Sequence, residues 1–412
     1  MAKKRVLILG AGFAGLRVAQ DLQGQKGLKV TVVDSSRSHV YKADLYEVAT
    51  AFNDEITKQC LIDLRETVAT PFEDLLKDFV CDKVVKIFPE KNYVRLKKGG
   101  RIDYDFLVVA LGSTTNFYGI KGLEKYSLQM KDANDALKIN CHIDQYFQQL
   151  WKKGIVKDVV INVGGGGATG VETVAEMCGF VKKICKKYKY PVGRVKVQLI
   201  EGGNNLVNLH PAGTRLVAKR LRKLKVKVLT GHLIAGLEKD KVKCKFRGKV
   251  KTLPSDVFIW TGGVMVNSVV SASFGSRETR GAIMINEYLH SVKYPNVFAA
   301  GDNVYLENPY EKGRSLPMLA SIAMREGKVL ARNVLAVCRG EEFEAYNPGE
   351  PTWVVPIGGK YAIWWFKGRL YSGVWVWFLR RLIDFWYLVG ILPFGKALAK
   401  WWRSNRVFVS ND

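Results

Sequence analysis

The sequence predicts an α/β protein with two Rossmann-like dinucleotide-binding domains, followed by an amphipathic C-terminal segment that associates with a membrane. Two glycine-rich loops, at residues 10–15 and 165–170, carry the first part of this prediction. Each loop follows an apolar run and precedes a helix-like segment. A strand, a tight turn and a helix N-terminus in this order bring backbone N–H groups close to a pyrophosphate. Two such loops predict two dinucleotides held face to face, and therefore an electron-transfer flavoenzyme.

An acidic residue ends the β-rich stretch that follows each loop. Asp34 follows residues 28–33, and Glu201 follows residues 194–200. A carboxylate at this position accepts hydrogen bonds from the ribose hydroxyls of an adenosine. Glu201 would also repel a 2′-phosphate, and no arginine occurs at residues 202–205, which favours NADH over NADPH. The alternative, that both acids only end strands at the surface, is disfavoured because both occur together with a glycine loop.

A second internal similarity indicates duplication. Residues 105–112 and 256–263 lie at nearly the same distance from their glycine loops, and each runs from an aspartate through apolar residues to a glycine. Charged, β-rich stretches precede them at residues 93–104 and 241–253, and these predict antiparallel meanders. We therefore expect two related α/β units.

Further elements are predicted by periodicity and by punctuating residues. Residues 133–150 have helical periodicity, and a basic helix is predicted at residues 171–187. An apolar strand is predicted before Gly301 and Asp302. A further helix is expected from Leu316, with Pro317 as its entry signal.

Composition restricts the partners and the compartment. The net charge of +26, from 64 basic and 38 acidic residues, implies attraction to a polyanion, either nucleic acid or an anionic lipid surface. No nucleic-acid-binding motif is recognisable, so lipid is favoured. The seven cysteines include no C-x-x-C pair and the N-terminus resembles no signal peptide, so we expect a reducing compartment and no disulfides. The five histidines are scattered, and no metal site is expected.

The composition changes from Trp353 onward, where eight of the ten tryptophans occur. Residues 353–406 also contain nine basic residues, including Arg380 and Arg381, and a single acid, Asp384. The apolar stretch 382–394 is too short to span a bilayer. Tryptophan and basic residues on amphipathic segments are typical of an element that lies among lipid headgroups. An aromatic homodimer interface is the alternative.

The motifs resemble those of the type II NADH:quinone oxidoreductases, which are single-subunit, monotopic FAD enzymes of respiratory chains. The resemblance runs nearly end to end and rests on residues 10–15, 46–50, 104–112, 165–172, 260–263 and 301–302. It implies an FAD-binding domain in two parts, an NADH-binding domain and a membrane anchor. The implied boundaries are 1–115 and 278–345 for FAD, 116–277 for NADH with a connector, and 346–412 for the anchor.

The resemblance also implies specific contacts. Those to FAD are Gly10, Gly12, Phe13, Ala14, Gly15, Asp34, Ala110, Gly112, Asp302, Pro317 and Ala320. Those to NADH are Gly165, Gly167, Gly170, Glu201 and Gly263. The resemblance further implies a non-proton-pumping enzyme that passes electrons from NADH through FAD to a membrane quinone. It also implies that this enzyme is bound peripherally to the cytoplasmic face of the cell membrane.

Two residues are expected to take part in catalysis. Glu172 lies in the first turn of a predicted helix, where it would favour the helix dipole, but the resemblance implies a role in substrate positioning or proton relay. The family's quinone-side helix carries two glutamines four residues apart, and here Ser321 and Arg325 replace them. Arg325 is either a hydrogen-bond donor to a quinone carbonyl or a surface cation.

Three competing functions remain open from the sequence. One is an NADH-dependent flavoprotein reductase with a non-quinone acceptor. Another is an enzyme like the sulfide:quinone oxidoreductases, which carry a redox cysteine near the second glycine loop; residues 164–172 contain none. The third is a nucleotide-binding membrane-surface protein without turnover.

Overall fold

The computed structural model describes residues 3–207, 209, 211–275 and 278–408, and His210 lies outside them. The helices of the described residues are α1 (Phe13–Leu22), α2 (Leu45–Thr50), α3 (Lys58–Val68), α4 (Leu123–Tyr126), α5 (Ala133–Lys152), α6 (Ala168–Lys187), α7 (Pro211–Lys223), α8 (Ser268–Phe274), α9 (Ala320–Arg339), α10 (Val374–Ile391) and α11 (Phe394–Phe408).

The strands of the described residues are β1 (Lys4–Leu9), β2 (Leu28–Asp34), β3 (Ser38–Val40), β4 (Ala69–Pro71), β5 (Phe79–Cys81), β6 (Val84–Phe88), β7 (Tyr93–Leu96), β8 (Arg101–Asp103), β9 (Phe106–Val109), β10 (Ser113–Thr115), β11 (Leu128–Gln129), β12 (Val159–Gly164) and β13 (Val195–Ile200). They continue with β14 (Lys227–Leu229), β15 (Leu233–Leu237), β16 (Lys241–Phe246), β17 (Lys249–Pro254), β18 (Val257–Trp260), β19 (Val264–Val266), β20 (Ile283–Met284), β21 (Val297–Ala299), β22 (Val304–Tyr305), β23 (Trp353–Pro356), β24 (Ala362–Phe366) and β25 (Arg369–Gly373).

The chain forms two compact units. Unit 1 contains Met1–Val40, Thr70–Thr114 and Val264–Pro351, and unit 2 contains Tyr41–Ala69, Thr115–Gly263 and Thr352–Asp412. The grouping differs from the boundaries expected from sequence at residues 41–69 and in the C-terminal region, so the domain assignment stays a prediction.

Each unit is built on a five-stranded parallel sheet. In unit 1 the order is β21-β9-β1-β2-β5, and in unit 2 it is β11-β18-β12-β13-β14. The strand that precedes each glycine loop is central, the strand that ends in the acid lies on one side, and the aspartate-to-glycine strand lies on the other. This equivalence confirms the two related α/β units, and the apolar strands β1 and β12 are buried on both faces as parallel sheets require.

The two predicted meanders are confirmed as antiparallel sheets, β6-β7-β8 in unit 1 and β15-β16-β17 in unit 2. The helix expected from Leu316 begins later, at Ala320, because Leu319 has an extended backbone and acts as its N-cap. Pro317 therefore lies in the preceding loop, where its carbonyl accepts a hydrogen bond from the Leu319 N–H at 2.8 Å. In unit 1, α9 packs closely on α1, since a Cβ on Gly327 would lie 2.7 Å from the Ala14 carbonyl oxygen.

The C-terminal helices of unit 2 pack on the segment that contains α2 and α3. Arg403 of α11 forms ion pairs of 2.8 Å with Asp63 and Glu66 of α3. The short helix α2 is held from the other side, because the buried Asn140 amide of α5 donates to the Ala51 carbonyl at 2.7 Å. Among the described residues, no helix is both long enough and apolar enough to cross a membrane.

Candidate active site

The first glycine loop has the geometry that an approaching phosphate requires. Gly10 has a φ of +90°, and a Cβ on Gly15 would lie 1.8 Å from the Gly10 carbonyl oxygen. Neither position accommodates a side chain without displacing the backbone. Around a Cβ on Gly12, the N-cap of α1, there is open space within 4 Å, and no side chain caps the helix. Backbone N–H groups at the start of α1 are thus available to an anion.

The second loop, in unit 2, repeats the same contacts. Gly165 has a φ of +108°, and a Cβ on Gly170 would lie 1.8 Å from the Gly165 carbonyl oxygen. Gly167 caps α6 without a side-chain hydrogen bond and also borders open space. Each unit therefore contains a helix N-terminus that fits a dinucleotide pyrophosphate.

The two acids lie against their loops in the same way. Asp34 accepts hydrogen bonds of 2.8 Å from the N–H groups of Ala11 and Ser36. Glu201 accepts hydrogen bonds of 2.5 Å from the N–H groups of Gly166 and Gly203. A carboxylate has about four acceptor positions, so each retains acceptor capacity for ribose hydroxyls. The paired acid and loop fit the adenosine half of a dinucleotide in both units.

The remaining predicted FAD residues also belong to unit 1. Gly112 has a φ of +69° just after β9, and a Cβ on Gly10 would lie 2.4 Å from the Ala110 carbonyl oxygen. The hydroxyl of Ser113 donates a hydrogen bond to a carboxylate oxygen of Asp302. Sequence reasoning missed Ser113, although a hydroxyl residue directly after the strand-ending glycine was a signal for it.

A small pocket of unit 1 brings together the Gly-Asp turn after β21 and the loop before α9. Its lining includes Asp302, Pro317, Met318 and the buried Glu326. Ala320 begins α9 but is absent from that lining. Arg325 is exposed and its Nε donates to the carbonyl of Ser321 at 3.3 Å. The structure therefore brings the neighbouring Glu326, and not Arg325, to this pocket.

Gly263, predicted to contact NADH, has a φ of +148° and leaves space for a tyrosine. A Cβ on Gly263 would lie 2.3 Å from the Tyr118 hydroxyl oxygen. The Gly263 carbonyl also accepts the Asn116 N–H at 3.1 Å. Any larger residue at this position would displace Tyr118.

Glu172 lies in the first turn of α6 and is buried, with 9% of its surface exposed. Burial raises the pKa of Glu172 to about 8, opposed by Arg380 and reinforced by Asp44 and Glu47. Glu172 is therefore protonated at neutral pH. A helix-dipole role requires a charged carboxylate, so this environment favours a proton-holding role instead.

The groups around Glu172 form a buried charge cluster within unit 2. Arg380 lies 2.8 Å from an Asp44 oxygen and also pairs with Asp384. Arg381 lies 3.4 Å from Asp384 and 3.6 Å from Glu47. The Tyr41 hydroxyl donates to Asp384 at 2.6 Å. The members of the buried charge cluster are Asp44, Glu47, Glu172, Arg380, Arg381 and Asp384.

The cluster contains more acids than bases. Four carboxyl groups face two guanidinium groups, and all six side chains are buried. An excess of buried negative charge favours proton uptake by the least compensated acid. Burial by itself would lower the pKa of Arg380, but the neighbouring Tyr41 and Asp44 raise it above its ordinary value. The arginines therefore stay charged, and the exchangeable proton belongs to the carboxyl groups.

The cluster corrects one expectation from sequence. Arg380 and Arg381 were expected to face lipid headgroups with the other basic residues after Trp353, but they are 4% and 5% exposed. Asp384, which lies within the apolar stretch 382–394, is the acid that pairs with both arginines. The sequence contained a signal for this pairing, because Asp384 follows Arg380 by four residues and Arg381 by three.

The outward face of α10 is apolar. Trp375, Phe378, Leu382 and Trp386 recur at helical spacing and are between 50% and 67% exposed. On α11, Trp402 is 62% exposed. We call these exposed apolar side chains of the two C-terminal helices the aromatic face.

Comparisons with known proteins agree with this geometry. A family model described as pyridine nucleotide-disulphide oxidoreductase matches residues 4–327. A curated type II NADH:quinone oxidoreductase from Staphylococcus aureus (strain NCTC 8325 / PS 47) is 28% identical over 397 residues, covering 93% of this chain and 94% of the relative. The solved structure of NDH2 from Plasmodium falciparum in complex with NADH matches with a TM-score of 0.84 at 18% identity, covering 99% of this chain and 97% of that one. The sulfide:quinone oxidoreductase of Aquifex aeolicus matches with a TM-score of 0.73 at 18% identity, covering 94% and 91%.

The raised pKa of Glu172 predicts a pH-dependent contribution to stability. Because the folded-state pKa lies above the unfolded value, the contribution is fully present below about pH 4.5 and is lost as the pH rises to about 8. The slope for this one group is roughly 1.4 kcal/mol per pH unit. We expect the free energy of unfolding of Glu172→Gln, measured with urea between pH 5 and 9, to lack the pH-dependent contribution of this carboxyl group. The exposed Glu124→Gln should behave like the parent protein, and an unchanged pH dependence in Glu172→Gln would contradict the assignment.

Proposed function

The chain belongs to the pyridine nucleotide-disulphide oxidoreductase family, and on that basis we propose that it is an FAD-dependent NADH:quinone oxidoreductase of the type II class. The observation that carries the proposal is the occurrence, in each unit, of a glycine loop, a helix N-terminus and a ribose-binding acid. The likeness to the S. aureus enzyme extends over 93% of the chain. When bound, FAD would supply the two-electron chemistry that links oxidation of NADH to reduction of a quinone.

We assign the FAD site to unit 1 and the NADH site to unit 2. Gly10, Gly12 and Gly15 would hold the FAD pyrophosphate at the start of α1, and Asp34 would accept hydrogen bonds from its ribose. The remaining predicted FAD contacts are Phe13, Ala14, Ala110, Gly112, Asp302, Pro317 and Ala320. The Ser113 hydroxyl, by donating to Asp302, orients that carboxylate.

The NADH side is built from the equivalent residues. Gly165, Gly167 and Gly170 would hold the pyrophosphate at the start of α6, next to the Glu201 carboxylate. Both oxygens of Glu201 already accept backbone N–H groups, so its position is fixed. A fixed negative charge beside the ribose repels a 2′-phosphate and favours NADH over NADPH.

Glu172 is proposed as the proton-holding residue of the reaction. A quinone takes up two protons when it accepts two electrons, so a buried acid that is protonated at neutral pH is suited to supply one. The guanidinium groups of Arg380 and Arg381 limit the rise in its pKa. The buried charge cluster thus keeps this proton exchangeable near physiological pH.

The acceptor is tested by separating the two half-reactions. The purified protein, reduced anaerobically with NADH, should lose its flavin absorbance and regain it when a short-chain quinone is added. If Arg325 donates a hydrogen bond to the quinone, NADH should bleach the flavin of Arg325→Ala at the parent rate. Quinone should reoxidise that flavin about tenfold more slowly, because one charge-assisted hydrogen bond is lost.

Lys328→Ala, which removes an exposed cation one turn further along α9, is the matched control and should reoxidise like the parent. Equal reoxidation of Arg325→Ala and the parent would identify Arg325 as a surface cation only. Bleaching by NADH without reoxidation by quinone would support a reductase with a non-quinone acceptor, and no bleaching at all would contradict the enzyme assignment.

We further propose that the protein binds peripherally to the cytoplasmic face of an anionic membrane through the aromatic face. The exposed rings would enter the headgroup region, and the net charge of +26 would attract anionic lipid. A homodimer formed through the same surface is the competing explanation. Deletion of the C-terminal region does not separate the two, because it also removes Arg380 and Arg381 from the buried charge cluster.

Substitution of the exposed rings alone gives a sharper test. The triple variant Phe378→Ser, Trp386→Ser and Trp402→Ser should bind vesicles of phosphatidylglycerol and phosphatidylcholine at least about tenfold more weakly, since each ring would otherwise be transferred out of water. Trp151→Ser removes an exposed tryptophan of α5 and should bind like the parent. If the triple variant keeps its vesicle affinity but changes from dimer to monomer in sedimentation, the aromatic face is a subunit interface.

A further inference from the structure

A buried carboxyl group holds the backbone of the Gly-Asp turn in unit 1. Glu326 of α9 is 1% exposed, and its Oε2 accepts a hydrogen bond of 2.6 Å from the Gly301 N–H. Gly301 has a φ of +75° and begins the turn that carries Asp302. The position of Asp302 therefore depends on a hydrogen bond that Glu326 accepts, and neither the sequence motifs nor the proposed function gives Glu326 a role.

Two carboxyl groups share the pocket next to this turn. Asp302 and Glu326 both belong to its lining, together with Pro317 and Met318. The Ser113 hydroxyl donates to a carboxylate oxygen of Asp302. Asp302 raises the pKa of Glu326, and none of the described residues that line the pocket is basic.

The charges around Glu326 favour its neutral form. Burial raises its pKa to about 8, Asp302 adds to the rise, and the Gly301 N–H and Arg325 act in the opposite direction. Tyr346, on the segment after α9, interacts with Glu326 and is itself neutral at this pH. On α1, which packs against α9, Arg17 and Asp21 pair with each other at 2.7 Å. At neutral pH Glu326 therefore carries a proton.

We propose that Glu326 is a positioning residue for the FAD site, which fixes the Gly-Asp turn and, by remaining protonated, limits the negative charge of the pocket that receives an anionic cofactor. The inference rests on the proposed assignment of FAD to unit 1. The Gly301–Glu326 hydrogen bond fixes the backbone of the Gly-Asp turn. The proton on Glu326 keeps the negative charge of the pocket low.

The protonation state of Glu326 affects the affinity of the protein for FAD. The pyrophosphate of FAD adds negative charge to unit 1, so bound cofactor stabilises the protonated form of Glu326 further. Cofactor binding is then coupled to retention of one proton. The dissociation constant of FAD should rise as the pH increases beyond about 8, by up to tenfold for each pH unit.

The test is the dissociation constant of FAD, measured by fluorescence after equilibrium dialysis of the FAD-loaded protein at pH 7 to 9.5. In Glu326→Gln the amide oxygen still accepts the Gly301 N–H but carries no charge, so the dissociation constant should be independent of pH. In Glu326→Ala the Gly301 N–H loses its partner, and FAD should bind more weakly at every pH. Asp135→Asn changes a buried acid of unit 2 whose pKa is also raised by burial and should keep the parent's pH dependence.

A parent dissociation constant that stays constant from pH 7 to 9.5 would overturn the inference without any variant. So would a Glu326→Gln protein with the same pH dependence as the parent. A parent protein that binds no FAD at any pH would overturn the proposed function itself, and this inference with it.

Discussion

The structure depends on one close contact that occurs twice. In each unit the last glycine of the loop, Gly15 or Gly170, lies so close to the first, Gly10 or Gly165, that a Cβ would be 1.8 Å from its carbonyl oxygen. This contact fixes the start of the helix next to the loop, and no side chain caps either helix N-terminus. The acid at the end of the neighbouring strand then fixes the loop by accepting the N–H of Ala11 in unit 1 and of Gly166 in unit 2. The parallel order of each sheet places loop and acid side by side, so the fold itself builds both predicted dinucleotide sites.

The C-terminal helices combine two functions that usually occupy separate elements. A helix on a globular surface normally buries its apolar side, but α10 buries Arg380, Arg381 and Asp384 together with Val376, Tyr387 and Leu388, and it exposes Trp375 and Trp386. This arrangement is costly in water because the charges lose hydration and the rings are exposed to water. It becomes favourable when the inner face pairs with Asp44 and Glu47 and the outer face enters a membrane. The C-terminal region is thus coupled to Glu172 as well as to the proposed lipid surface.

The sequence predicted the parts of the molecule that repeat a local pattern. Glycine spacing, apolar runs and strand-ending acids are local signals, and the two sheets with their loops follow from them. The buried charge cluster was not predicted because its members come from α2 and its N-cap residue, from α6 and from α10. In addition, Arg380 and Arg381 cannot be distinguished locally from headgroup-binding cations. Glu326 was missed for the same reason, since only the return of α9 to the Gly-Asp turn brings it to the pocket. The start of α9 was predicted too early because Pro317 marks a loop here instead of a first helical turn.

The central claim is that the two loops serve two different dinucleotides, and the most direct test compares Gly15→Ala with Gly170→Ala. In both variants the new Cβ collides with a backbone carbonyl oxygen, whereas in Gly390→Ala, the control, a Cβ meets open space. The measurement is the FAD content of the purified protein, followed by the NADH concentration that half-bleaches the flavin under anaerobic conditions. We predict that Gly15→Ala loses FAD, and that Gly170→Ala keeps FAD but requires at least about tenfold more NADH. Loss of FAD from Gly170→Ala with retention in Gly15→Ala, or bleaching of Gly170→Ala at the parent's NADH concentration, would contradict the account.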